Sequence, residues 1–145
     1  MTVHPVVATA LLAGLLAGCA STASQTAGDA PRHPSIAADL SPVPAFTGGG
    51  AGWRIEIAST GKGNHEATLS TDGVTRKGTL RYLGQPADAP ASLIVLNGEL
   101  GNQPAIVEIK RESCRNADGV DTQASVQVTM EGQPQRRGCG HLAVY

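Results

Sequence analysis

The sequence predicts an all-β fold: a small antiparallel barrel or sandwich of about seven strands, preceded by a signal peptide and a disordered tether. Two observations carry this reading. Apolar residues recur at every second position in short runs, the mark of half-buried strands, and clusters of Gly, Asn, Asp and Pro separate those runs at regular spacing. No stretch carries an apolar stripe of helical period long enough to support a helix of globular length.

The chain opens with an apolar stretch. Between Val6 and Gly18 only Thr9 interrupts a run of Val, Ala, Leu and Gly. A run of roughly 13 residues is too short for a helix across a bilayer core, which takes roughly 20. It fits the apolar region of a secretory signal, and the small Ala17 and Gly18 suit a peptidase pocket, so residues 1–18 are expected to be removed. Residues 19–47 come next as a flexible tether. They are rich in Ser, Thr, Ala and Asp, with Pro31, Pro34, Pro42 and Pro44 spaced through them. Such a composition buries too little surface to offset chain entropy. As a coil it would span on the order of 30 Å. Gly48, Gly49 and Gly50 mark the boundary of a β-domain over 48–145, and Ile36, Leu40, Val43 and Phe46 are the tether residues able to dock on that domain.

Within that domain Trp53, Ile55 and Ile57 alternate with Arg54 and Glu56 as a first strand, and Trp53 serves as a core anchor. Gly61, Lys62, Gly63 and Asn64 turn the chain. Ala67, Leu69 and Thr71 form the apolar face of a second strand, and Asp72 with Gly73 is a strong hairpin signal. A third strand over 75–83 is weakened by Gly78, and a Pro-rich loop over 84–90 comes after it. Residues 92–96 read as a strand covered on both faces, with Asn97 and Gly98 suited to a tight turn. Ala105, Val107 and Ile109, then Val126, Val128 and Met130, set two further alternations, and a last strand runs over 135–144.

Composition narrows the function classes. The formal net charge is −1, so neither nucleic acid nor an anionic surface is implied as an obligatory partner. Aromatic residues are only 3 %, leaving the core to Val, Ile, Leu and Ala, and a modest core of that kind benefits from a covalent staple.

Leu16, Ala17, Gly18 and Cys19 resemble, position by position, the lipobox of bacterial lipoproteins: a Leu, two small residues and a Cys. The resemblance implies cleavage before Cys19, a thioether from its sulfur to diacylglycerol, and further acylation by a fatty acid such as palmitate, since stable anchoring needs more than one chain. Ala20, where an Asp would retain the protein at the inner membrane, implies the outer membrane, with the domain facing the periplasm. The domain is itself similar to a family of small, uncharacterised envelope lipoproteins of Gram-negative bacteria. The strand that starts at Trp53 matches that family's opening, with Gly50, Ala51 and Gly52 in place of Glu-Pro-Phe. Its close is matched by Cys114, the loop to Asp121, the strand over 124–130, and Gly138 with Cys139. The family implies an all-β fold and no reaction.

Three cysteines is an odd number for an exported protein. With Cys19 assigned to lipid, Cys114 and Cys139 remain, and in an oxidising compartment a disulfide is their default; two buried free thiols are the rival reading. Such a bond would draw Lys110, Arg111 and Arg115 toward Arg136 and Arg137. That makes these five a candidate site for a carboxylate or phosphate, as on cell-wall peptide or lipopolysaccharide, although Glu108 and Glu112 lie close.

Other chemistry finds less support. A calcium loop beginning near Asn116 would need a carboxylate where Cys114 stands and a Glu where Ser125 stands, so the segment over 116–121 reads as a surface turn. His65 and His141 are the only histidines of the domain, too few for a zinc site, and no Ser or Thr sits in a nucleophile motif. No metal, cofactor or catalytic residue is expected. The leading class is a non-enzymatic binding or structural module whose partners are the membrane, through the lipid, and an envelope protein or cell-wall ligand. An inhibitor of a cell-wall hydrolase such as lysozyme is the alternative, on fold analogy alone.

Overall fold

The structure is a computed structural model that describes residues 41–144. The expected signal peptide, Cys19 and the expected tether up to residue 40 lie outside the described residues. Every regular element within them is a strand: β1 Ala45–Gly50, β2 Trp53–Gly61, β3 Asn64–Thr71, β4 Val74–Tyr82, β5 Leu93–Leu100, β6 Gln103–Arg115, β7 Asp121–Met130 and β8 Arg136–Leu142. Each strand pairs antiparallel with its neighbour in sequence, and β8 returns to pair with β1, so the sheet closes as an up-and-down barrel rather than a sandwich.

The described residues thus form eight strands where about seven were expected. The addition is β1, hidden in the sequence because three of its six residues are the glycines read as a domain boundary. Gly48, Gly49 and Gly50 pair instead with Ile55, Arg54 and Trp53 of β2. The strand thus begins before the boundary drawn at Gly48, and the chain ahead of it is also ordered. Ser41 and Val43 are buried, and Ser59 donates its backbone N–H to the Pro44 carbonyl at 2.9 Å.

A second difference concerns Asn97 and Gly98. They lie inside β5, not in a turn. The turn falls at Gly101 and Asn102, both with positive φ, between the paired Leu100 and Gln103. Gly98 serves close approach: a Cβ there would stand 2.0 Å from the Thr79 carbonyl oxygen of β4, and one on Gly78 would stand 1.9 Å from that of Glu99. Asp72 and Gly73, by contrast, form the expected two-residue turn, both with positive φ.

The alternation read from the sequence becomes an inside and an outside. Thr122, Ala124, Val126, Val128 and Met130 of β7 point inward, and the other strands do likewise. Eight strands enclose a space just wide enough for side chains. Phe46, Ile55, Leu69, Leu80, Leu96, Leu100 and Ile109 fill it, all less than 2 % exposed, an aliphatic core around one Phe. One end of the barrel carries the turns at 51–52, 72–73, 101–102 and 131–135. The other carries the turn at 62–63, the long connection over 83–92 and the loop over 116–120. Residues 41–44 close this second end, beside the fully buried His65 of β3.

Candidate functional site

The outer flank of β6, β7 and β8 holds a hollow of about 610 Å³, and β6 shapes it. β6 is the longest strand, and its ladder with β7 shifts register between Arg111 and Cys114. Such a bulge bends the strand that carries it. Beyond the bend, Cys114 crosses β7 and is bonded to Cys139 of β8, with the two Cα atoms 5.5 Å apart. The expected disulfide is present. Thr122 Oγ1 donates to the Cys114 carbonyl at 3.0 Å and fixes the base of the folded-back strap.

The strap tip is a tight turn. Asn116 Oδ1 accepts the backbone N–H groups of Asp118 (3.1 Å) and Val120 (2.8 Å), and Asn116 N–H donates to the Val120 carbonyl at 2.9 Å. Asn, Asp and Gly are here the chemistry of a turn. Its residues Asn116 and Ala117 face Gly49, Gly50 and Ala51 across two hollows, of about 610 Å³ and about 390 Å³, on either side of the disulfide.

The larger hollow is a groove floored by two rungs of side chains set by strand register. In one, Glu108 of β6 stands opposite Gln127 of β7, which stands opposite Arg137 of β8. The Gln127 amide donates to the Glu108 carboxylate, and Arg137 Nε donates to Gln127 Oε1 at 3.0 Å, so an amide joins an anion to a cation. In the other rung Lys110 stands opposite Ser125, and Ser125 opposite Cys139. Ser125 Oγ donates to Glu112 at 2.6 Å, and the Lys110 ammonium pairs with the same carboxylate. The ammonium and the hydroxyl together hold the Glu112 carboxyl below the ordinary carboxylate value.

Of the five cations named from the sequence, Lys110, Arg115 and Arg137 line this groove, and Glu108 and Glu112 line it with them. Arg115 lies 3.9 Å from Asp121, at the edge of ion-pair range. Arg111 instead donates to the Pro42 carbonyl at 3.2 Å, at the plugged end of the barrel. Arg136 lies on the inward-facing row of β8 with Gly138, Gly140 and Leu142, and donates to Gln133 Oε1 at 3.3 Å. The groove is therefore a strip of alternating charge rather than a cationic pole.

Gln127 and Ser125 carry no signal in the sequence that marks them for a site, and Glu108 shows there only as a nearby charge. Each is an ordinary outward residue of a strand, and only the register of three strands makes them neighbours. No family model, curated protein or solved structure matches the chain.

Proposed function

We propose that this protein is a lipid-anchored envelope lipoprotein, held at the periplasmic face of the outer membrane, whose barrel is a non-enzymatic binding module. Its binding surface is the groove beside the strap. The observation that carries the reading is the Cys114–Cys139 bond, which folds the end of β6 back over the barrel wall and shapes a groove of about 610 Å³ on an otherwise filled barrel. A disulfide that shapes a site suits an oxidising compartment, in line with the lipobox resemblance at Leu16, Ala17, Gly18 and Cys19. The lining groups suit recognition better than group transfer. Ser125 faces a carboxylate held low, which is a weak base at neutral pH, and the amide of Gln127 is committed to its neighbours.

Paired charges and amides along a shallow groove fit a ligand that itself alternates donors and acceptors, such as a cell-wall peptide or glycan. The test uses the full chain expressed with its leader. Palmitate should label the wild type and not Cys19→Ser. The processed protein should bind isolated cell-wall sacculi, and Ser125→Trp, which fills the groove, should abolish binding while leaving the fold intact. Retention of binding by that variant would refute the groove; absence of label would refute the anchor.

A further inference from the structure

The barrel end opposite the plug is ringed by inward-facing polar residues. Arg76 stands on the inward row of β4, beyond Gly78 and Leu80 and one step inside the exposed Val74 at the strand's end, and Arg136 takes the outermost inward position of β8, beyond Gly138. Both are half-buried. Each has neighbours on the β5–β6 side of the rim. The Arg76 chain lies along Gly101, whose Cβ would stand 3.0 Å from its Cγ. Two residues on, Gln103 accepts from Gln133 Nε2 at 2.8 Å, and Gln133 accepts in turn from Arg136 at 3.3 Å. Arg76 is steadied by donating to Thr71 Oγ1 at 3.2 Å. Trp53, on the inward row of β2, packs against the core at the same end.

Neither arginine has a carboxylate partner in an ion pair among the described residues; those pairs join Arg54 to Glu56, Lys110 to Glu112 and Arg115 to Asp121. The carboxylates at this end, Asp72, Glu99 and Glu131, are exposed on turns or on the outward row. Below the two guanidiniums lie the buried Leu69, Leu100, Val128 and Met130. Two permanent cations thus stand at the edge of an apolar interior, where a counter-ion stabilises each. Each guanidinium presents donors in a planar fork matched to oxyanions, and two such charges match the nearly double charge of a phosphate monoester near neutral pH.

We propose that the mouth ringed by Arg76 and Arg136 is a phosphate-binding site, separate from the groove on the flank. Its ligand is a doubly charged oxyanion, either free phosphate or the phosphomonoester group of a lipid headgroup. Arg76 and Arg136 carry the charge, and Gln103 and Gln133 hold the second guanidinium in place. Arg111 and Arg81, at the other end of the barrel, take no part.

The full chain in non-ionic detergent, with labelled arginine side chains, provides the test. Inorganic phosphate added at constant ionic strength should shift the Nε–H resonances of Arg76 and Arg136 saturably and leave those of Arg81 and Arg111 in place. Arg76→Gln and Arg136→Gln should each weaken binding by about tenfold, the loss of one charge-assisted contact. Where a variant fails to fold, the wild-type resonances alone decide. A response to phosphate marks the free ion as a sufficient ligand. A response only to vesicles carrying phosphatidic acid, and not to phosphatidylcholine vesicles, marks the headgroup. Silence toward both, or equal shifts at all four arginines, overturns the site.

Discussion

His65 Nε2 lies 2.6 Å from Ser41 Oγ and 3.2 Å from the Val43 carbonyl, inside the end of the barrel that residues 41–44 close. A carbonyl only accepts, so Nε2 carries the proton and Nδ1 is bare. Nδ1 is buried and has no hydrogen-bond partner among the described residues. A neutral imidazole tolerates that arrangement, whereas an imidazolium would bury a charge.

Stability should therefore depend on pH through His65. Burial lowers its pKa from the ordinary 6.5. As the pH falls below that value the unfolded chain takes up a proton that the folded chain refuses. Stability declines from there until the pH reaches the folded value, below which both states are protonated. Denaturant midpoints measured from pH 7.5 downward should fall through this window, and His65→Gln should flatten the slope. A slope unchanged in the variant would assign the dependence elsewhere. Glu112 acts in a lower window. Its carboxylate, favoured by Lys110 and Ser125, contributes stability above the ordinary carboxylate value of 4.5 that is lost as the pH falls through its lowered folded value.

The disulfide should matter to stability and to the shape of the strap. Its cysteines are 25 positions apart, and closing a loop of that length stabilises by ~3 to 4 kcal/mol in the chain-entropy model. Replacing both Cys114 and Cys139 by Ser should lower the unfolding free energy by about that amount. Amide exchange should quicken over 116–120, where the backbone bonds of the tip depend on the fold-back, and stay slow in β2 and β3. Unchanged exchange at the tip would mean that the bulge alone sets the bend.

Gly98 separates two readings of one dipeptide. As a turn glycine it would tolerate alanine for ~1 kcal/mol. As the point where β5 meets β4 it meets a backbone oxygen at 2.0 Å, which cannot swing aside as a side chain could. Gly98→Ala should therefore destabilise by ~3 kcal/mol, the upper end of overpacking. Asn97→Ala should change stability little. The pair of unfolding curves decides between the readings.

The same residue shows where the sequence stops being legible. Strand positions come from local alternation, because period two is written in the chain itself. Ile55 with Ile57 and Val126 with Val128 all point inward as that pattern dictates. Turns at Lys62 with Gly63 and at Asp72 with Gly73 are marked by Gly and Asp, which adopt positive φ readily. Glycine, however, has two uses that look alike in one dimension. Gly98, Gly78 and the three glycines of β1 are placed by what crosses them, so the strand of glycines passes for a domain boundary. The groove is legible only in its cysteines and in three of its cations, Lys110, Arg115 and Arg137. Glu108, Gln127 and Arg137 become one rung through two registers that no local pattern reveals. Arg136 and Arg137, adjacent in sequence, go to opposite faces of β8, which divides the expected cluster of cations between two sites.

The extent of the folding unit gives the last prediction. β1 holds Phe46, 1 % exposed in the core, and Val43 just before it is fully buried. β1 also pairs with β2 on one side and β8 on the other. A chain starting at Gly48 would lose both apolar side chains and half of the closing strand, and would leave unpaired edges on β2 and β8, a template for association. A chain starting at Ser41 keeps the barrel closed and keeps the His65 contact. The longer piece should be a monomer with a cooperative unfolding transition, and the shorter should aggregate or unfold. Phe46→Ala in the full chain should lose ~3 to 5 kcal/mol, as expected for emptying a core aromatic site. A stable, monomeric domain beginning at Gly48 would show that β1 is an accessory to the barrel and not one of its staves.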